Sequence, residues 1–174
     1  MMPDEKITNS KQLEFAVFCI ENVAAKLGVG AEKVYDAFTA KSNILNGYIM
    51  PEYEVLHTQS RQYIVDDLLD VMKEERGGSM IVYHGSYLYK KHFLCCILKG
   101  VNRYDSKSHF ASKKYSRVIE CFAKRQAVSL DAALDFFYHS EVYLLMRDGV
   151  SDMHCMSDAY LADELQQEYA EKGL

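Results

Sequence analysis

The sequence predicts a mainly α-helical protein, and three observations indicate this class. The 174-residue chain contains only two prolines, so little interrupts helices. Several stretches place apolar residues three and four positions apart, which is typical of a helix with one buried face. Serine or asparagine precedes these stretches and can cap the helix start. The apolar fraction of 49% and charged fraction of 26% are ordinary for a folded soluble protein, which excludes disorder throughout.

Three helices are predicted in the first half. The first begins after Asn9 or Ser10 and ends at Gly28 and Gly30, and its apolar stripe consists of Leu13, Ala16, Val17, Ile20, Val23, Ala24 and Leu27. The second carries Ala31, Val34, Tyr35 and Phe38 on one face. Residues 42–59 are predicted to be a connection. The third helix follows Ser60 and turns Ile64, Leu68 and Val71 inward.

The second half begins with a predicted linker at residues 74–79, which contains two adjacent glycines. Residues 80–83 are β-prone, and residues 87–110 show no clear period. Helical periodicity resumes at about residue 111 and continues to about residue 125. Ser129 is predicted to cap a helix that ends at Gly149, and Ser157 is predicted to cap the last helix, whose apolar stripe is Leu161, Leu165 and Tyr169.

An imperfect internal repeat relates the two ends of the chain. Residues 31–38 match residues 130–137 in pattern, residues 56–60 match 153–157, and residues 63–68 match 160–165. The repeat predicts two similar helix-helix-loop-helix units packed together, at residues 9–75 and 111–172, because a unit this small is marginal alone. Residues 76–110 are predicted to form a linker and a short irregular or β-containing insert. The residues placed at equivalent positions are His57, Ser60 and Tyr63, and His154, Ser157 and Tyr160.

The repeated segments resemble a small bacterial helical domain of unknown function. Residues 13–22, 55–59 and 63–66 carry one version of the pattern, and residues 133–138, 151–158 and 160–162 carry another. Such domains are commonly found beside, or fused to, a family similar to ADP-ribosyltransferase toxins. The resemblance therefore implies tandem copies of the domain and a toxin-like protein partner.

The middle of the chain resembles a fragment of that toxin family. Residues 80–86 look like the first strand of an ADP-ribosyltransferase, in which the motif's histidine binds the nicotinamide dinucleotide. The resemblance gives this role to His84, with Tyr83, Gly85 and Ser86 beside it. The acidic catalytic motif of a later strand is missing, and too few residues follow for the usual sheet. The resemblance therefore implies a shortened, inactive remnant.

Three histidines and one cysteine are candidates for binding, acid–base or metal chemistry. His57 and His154 each precede a capping serine by three residues, so they predict either a binding or acid–base site, or histidines that lock the loop before a helix. The structural role is preferred, because duplication preserves fold constraints in both copies. His139, His154 and Cys155 show no recognised metal-ligand spacing, and no catalytic residue, metal or cofactor is predicted.

Charge and targeting signals constrain partners and location. The net charge of −5 gives no bulk attraction to a polyanion, although lysines, arginines and tyrosines concentrate between residues 87 and 125. Internal charge complementarity or a solvated face accounts for this segment more simply than nucleic-acid binding. The sequence shows no signal peptide, membrane-spanning run or disulfide framework, so a cytoplasmic protein without membrane association is predicted.

The sequence is compatible with three functions. The first is a non-enzymatic helical protein-interaction module, antitoxin-like or regulatory for an ADP-ribosyltransferase-like toxin. The second is a degenerate or minimal ADP-ribosyltransferase that uses His84. The third is a nucleic-acid-binding protein that uses the central basic segment.

Overall fold

A computed structural model describes residues 6–76 and 107–173, and every regular element within these ranges is helical. The prediction of a mainly α fold is confirmed. The predicted insert and the β-prone run lie outside the described residues, except for residue 76 and residues 107–110. The chain divides into two compact units. One consists of Met1–Phe18 and Ser106–Leu174, and the other is Cys19–Asp105.

Helix α1 (Ser10–Leu27) begins at Asn9, whose Oδ1 accepts hydrogen bonds of 3.0 Å from the backbone N–H groups of Lys11 and Gln12. The apolar stripe predicted from the sequence is buried as far as Ala24. The helix ends at Gly28, where φ is +66°. Beyond it, the Val29 N–H donates to the Ala24 carbonyl at 3.1 Å. This bond closes a six-residue C-cap, which needs a left-handed residue at Gly28.

Helix α2 (Ala31–Phe38) buries the four apolar residues predicted for its inner face. The predicted connection at 42–59 differs from expectation, because it contains a π-helix at Leu45–Ile49 and helix α3 (Tyr53–Leu56). In the π-helix the Met50 N–H donates to the Leu45 carbonyl at 3.0 Å. Bonds of this i→i+5 type widen the turn, so the segment lacks the 3.6-residue period by which helices are recognised.

Helix α4 (Arg61–Arg76) begins after Ser60, whose Oγ accepts from the Tyr63 N–H at 3.3 Å. Of the three predicted inner residues, Ile64 and Leu68 are buried and Val71 is half-buried. A hydrogen bond of 2.7 Å from the Tyr48 hydroxyl to Asp67 Oδ2 connects the π-helix with α4.

The last elements are α5 (Lys107–Gln126), α6 (Leu130–Tyr138), α7 (Glu141–Asp148), a 3₁₀-helix at Val150–Cys155 and α8 (Asp158–Glu171). Helix α5 packs against α6 and α8. Aromatic side chains of α5, α6 and α7 are buried together in tilted and edge-to-face contact, with ring centroids 5.0–5.8 Å apart. These side chains are Tyr115, Phe137, Tyr138 and Tyr143.

The single helix predicted from Ser129 to Gly149 is two helices, so that expectation was wrong. Ser129 caps α6, accepting from the Ala132 N–H at 3.2 Å. The chain breaks at Ser140, whose buried hydroxyl donates to the Phe137 carbonyl at 2.7 Å and accepts from the Tyr143 N–H at 3.0 Å. The Glu168 carboxylate also accepts from the first N–H groups of α7, at 2.9–3.3 Å. These acceptors satisfy backbone donors that a helix start leaves free.

Candidate functional site

Two loop-to-helix junctions contain all six of the repeat residues singled out from the sequence. We call the segment of His57, Ser60 and Tyr63 the His57 junction, and the segment of His154, Ser157 and Tyr160 the His154 junction. In each, the serine hydroxyl accepts from the tyrosine N–H, at 3.3 Å in the first and 3.1 Å in the second. The predicted caps at Ser60 and Ser157 are therefore confirmed.

His57 folds back on the helix that precedes it. Its ring stacks on Tyr53, with centroids 4.6 Å apart and planes 12° apart, and its Nδ1 lies 2.7 Å from the Tyr53 carbonyl oxygen. A carbonyl only accepts hydrogen bonds, so this contact places a proton on Nδ1. His57 thus closes the end of α3, while its side chain remains exposed.

His154 occupies a different local backbone. Its Nδ1 lies 3.6 Å from the position that a Cβ on Gly149 would take. Three nearby residues have left-handed φ angles, Gly149 at 67°, Ser151 at 51° and Asp152 at 53°. For the two non-glycine residues this conformation is strained, and such strain is concentrated at functional loops. The segment before His57, which the predicted repeat aligns with it, is the right-handed helix α3.

Both junctions expose large apolar side chains. Tyr63 is 52% exposed and its counterpart Tyr160 is 43% exposed. Val55 lies beside the first junction, and Val150 and Met156 flank His154; these three are also exposed. The periodicity did not reveal Val55, Val150 and Met156 as surface residues. The available signal was their position outside the predicted apolar stripes, in the segments between predicted helices.

Ion pairs neutralise the acidic groups of the His154 junction. Asp158 accepts from Arg117 Nε at 2.6 Å and from Lys114 Nζ at 3.3 Å. The hydrogen bond from Arg117 is the main cause that holds the pKa of Asp158 below its usual value. Further along α8, Asp163 pairs with Arg125. The pKa of Tyr160 is raised, because its hydroxyl donates to the Glu164 carboxylate.

Helix α4, which follows the His57 junction, has a different charge environment. Asp66 accepts from the neutral Gln62 amide at 2.6 Å, and Asp67 accepts from the Tyr48 hydroxyl. Burial raises the pKa of Asp67. The Tyr48 hydrogen bond opposes this shift, and the charges of Asp70 and Glu52 add to it.

Nucleophilic chemistry at Cys19 and a metal site of three or more ligands have no support in the described part of the chain. Cys19 is fully buried and burial raises the pKa of its thiol, so this cysteine is inert as a nucleophile. Within residues 6–76 and 107–173, no three histidine, cysteine or acidic side chains converge as ligands for a metal ion. The dinucleotide-binding remnant proposed at Tyr83, His84, Gly85 and Ser86 lies outside the described residues.

A family described as a protein of unknown function (DUF3791) matches residues 14–75. Residues 14–75 are similar to DUF3791. This region extends from α1 into α4, so it contains the whole His57 junction. The expected resemblance of the first half to a domain of unknown function is confirmed, whereas a second copy remains a prediction.

No curated protein and no solved structure matches the chain. Among the described helices, none combines the length and apolar character that crossing a membrane would need.

Proposed function

We propose that this protein is a non-enzymatic helical interaction module that binds a protein partner through its two junctions. The observation that carries the proposal is the matched exposure of Tyr63 and Tyr160, each one turn into a serine-capped helix. Exposed tyrosines bring large contact area at low entropic cost and are enriched at interfaces. More specifically, we propose that the protein has an antitoxin-like or regulatory role toward an ADP-ribosyltransferase-like toxin in the bacterial cytoplasm.

Tandem copies of one domain are part of the proposal, and the positions of buried residues support them. Buried positions 16, 17, 19, 20, 23 and 24 of α1 correspond to buried positions 115, 116, 118, 119, 122 and 123 of α5. The helix ends correspond as well. After α5, Ala127 has a φ of +54° and the Val128 N–H donates to the Ala123 carbonyl at 3.2 Å, as Val29 does to Ala24 after α1.

Internal ion pairs favour this function over nucleic-acid binding. Lys114 and Arg117 are paired with Asp158, Lys124 with Glu120, and Arg125 with Asp163. These cations supply much of the positive charge that the sequence concentrates in α5. Because each already has a carboxylate partner, a phosphate backbone would have to displace that partner.

The experiment is affinity capture from the source cell with the full chain, followed by a binding titration of the captured protein. Alanine at Tyr63 and Tyr160 together is expected to weaken binding at least tenfold, which corresponds to about 1.4 kcal/mol and is modest for buried interface aromatics. Gln166→Ala is the matched control, because this exposed α8 residue lies on another side of the helix from Tyr160 and should leave affinity unchanged.

One kind of result would contradict the interaction module, and another would contradict only its relation to a toxin. Recovery of no specific partner, or a partner whose affinity ignores both tyrosines, would contradict the interaction module. A partner that cannot transfer ADP-ribose from the nicotinamide dinucleotide would contradict the toxin-related role alone.

A further inference from the structure

The π-helix contains an asparagine followed by a glycine, a pair that is chemically labile in an unrestrained chain. Asn46 precedes Gly47, whereas every other asparagine of the sequence precedes a residue with a side chain. The labile step is attack by the backbone nitrogen of the following residue on the asparagine side-chain carbon, and only glycine has no Cβ to hinder this approach. Asparagine is one of the thermolabile residues that hyperthermophilic proteins avoid. The sequence therefore places a labile amide inside the π-helix.

The folded π-helix engages the nitrogen that would attack. The Gly47 N–H donates to the Asn43 carbonyl at 2.6 Å. The Met50 N–H closes the wide turn on the Leu45 carbonyl at 3.0 Å. A nitrogen fixed in a helical backbone cannot turn toward the preceding side chain while these bonds persist. Reaction at Asn46 therefore requires local opening, which costs less free energy than unfolding of the whole chain.

The surroundings of the Asn46 side chain favour a neutral amide over a charged group. Its Oδ1 atom is buried, and no donor within residues 6–76 and 107–173 reaches it. A carboxylate oxygen at this position would lose far more hydration energy than an amide oxygen does. The argument holds for either orientation of the amide, because both oxygens of a carboxylate share the charge. Conversion of Asn46 to aspartate therefore opposes closure of the π-helix.

We propose that Asn46 is a spontaneous deamidation site that becomes reactive when the π-helix opens, and that the reaction then weakens the π-helix irreversibly. The Gly47 nitrogen forms a bond to the Asn46 side-chain carbon and loses its proton, and the side-chain NH₂ leaves with a proton as ammonia. The product is a cyclic succinimide. Water adds to either ring carbonyl and breaks its bond to nitrogen, which leaves aspartate or isoaspartate. Water is consumed and ammonia is released, and no group is oxidised or reduced.

A hydrogen bond beside Asn46 sets part of the cost of opening. The Tyr48 hydroxyl donates to Asp67 Oδ2 at 2.7 Å and joins the π-helix to α4. A carboxylate acceptor strengthens such a bond. Opening that separates the π-helix from α4 must break it, whereas the chemical step itself does not involve it. Removal of this bond therefore separates the opening from the chemistry.

The test incubates the full chain at neutral pH, in buffer and in urea that unfolds it, and follows each asparagine by peptide mass spectrometry. Asn46 should deamidate at least about tenfold faster in urea, which corresponds to an opening free energy of about 1.4 kcal/mol or more in buffer. Asn43 is the internal control, because it lies in the same segment but precedes Ile44. It should remain intact over the same period.

Three variants test the separate steps, with circular dichroism to confirm folding. Tyr48→Phe should speed the reaction in buffer by about threefold to tenfold and leave the rate in urea unchanged. Gly47→Ala should slow the reaction in urea, because the added methyl group hinders the attack. Asn46→Asp carries the product charge and should lower the urea midpoint of unfolding relative to Asn43→Asp, the matched control at an exposed residue.

Each part of the inference has a result that would overturn it. No reaction at Asn46 in urea, or equally fast reaction at Asn43, would overturn the site. Equal rates in buffer and urea, or a rate in buffer that ignores Tyr48→Phe, would overturn the role of opening. An Asn46→Asp chain as stable as Asn43→Asp would overturn the effect on the π-helix, whereas failure of Asn46→Asp alone to fold would support it. None of these results depends on the proposed protein partner.

Discussion

Substitutions at Gly28 after α1 and at Ala127 after α5, two helix ends with similar backbone geometry, should change stability in opposite directions. Gly28→Ala puts a Cβ on a residue with φ of +66°, where no atom lies within 4 Å of the new carbon, so the penalty comes from the backbone alone. A left-handed conformation costs a non-glycine residue about 1–2 kcal/mol. The less flexible unfolded chain returns about 0.4–1 kcal/mol of this. The free energy of unfolding should therefore fall by about 0.5–1 kcal/mol, and Ala127→Gly, which relieves a φ of +54°, should raise it by a similar amount.

Thermal unfolding followed by circular dichroism measures both changes. For a chain of this size, about 1 kcal/mol moves the midpoint by roughly 2–4 °C, so shifts of a few degrees with opposite signs are expected. Ala127 is exposed, so the loss of its methyl group removes little buried surface. Shifts of the same sign, or a gain from Gly28→Ala, would refute the argument that these residues act through backbone conformation.

Three further predictions concern caps, ionisation and the core. Ser157→Ala should lower the free energy of unfolding by about 1 kcal/mol in urea titration, because α8 loses its N-cap, whereas Ser157→Asp should retain most of it. Asp67 has a raised pKa, so the folded state holds its proton more tightly than the unfolded state, and its contribution should become more favourable as pH falls from neutral through the folded pKa. Asp67→Asn, which can still accept from Tyr48, should remove that part of the pH dependence in urea titrations, and an unchanged profile would contradict the assignment. Phe38→Ala should cost about 3–5 kcal/mol in the same assay, since the ring is fully buried, and a loss below 1 kcal/mol would contradict its core position.

Much of the helical architecture could be predicted because local signals agreed with burial. Leu13 to Ala24 in α1 follow an apolar stripe, and Asn9, Ser129 and Ser157 cap helices as expected. In these segments periodicity and capping chemistry point to the same boundaries.

The π-helix and the helix break at Ser140 were not predicted from the sequence, for physical reasons. The π-helix at Leu45–Ile49 has a wider turn than the period used to recognise helices. The break at Ser140 lies between two apolar stretches whose spacing is compatible with one continuous helix. Glu168, a distant residue in sequence, helps to hold the new helix start. The sequence predicted internal charge complementarity or a solvated face for the basic segment, but it did not predict the individual ion pairs, because pairs such as Arg117 with Asp158 join residues far apart in sequence.

The division of α1 has a consequence for the order in which the protein can fold during synthesis. Residues up to Phe18 belong to the unit completed by Ser106–Leu174, whereas the rest of α1 belongs to Cys19–Asp105. Lys6 and Ile7, for example, donate their backbone N–H groups to Asp131, which the ribosome adds much later. The backbone hydrogen bonds of these early residues can therefore form only after most of the chain has been synthesised.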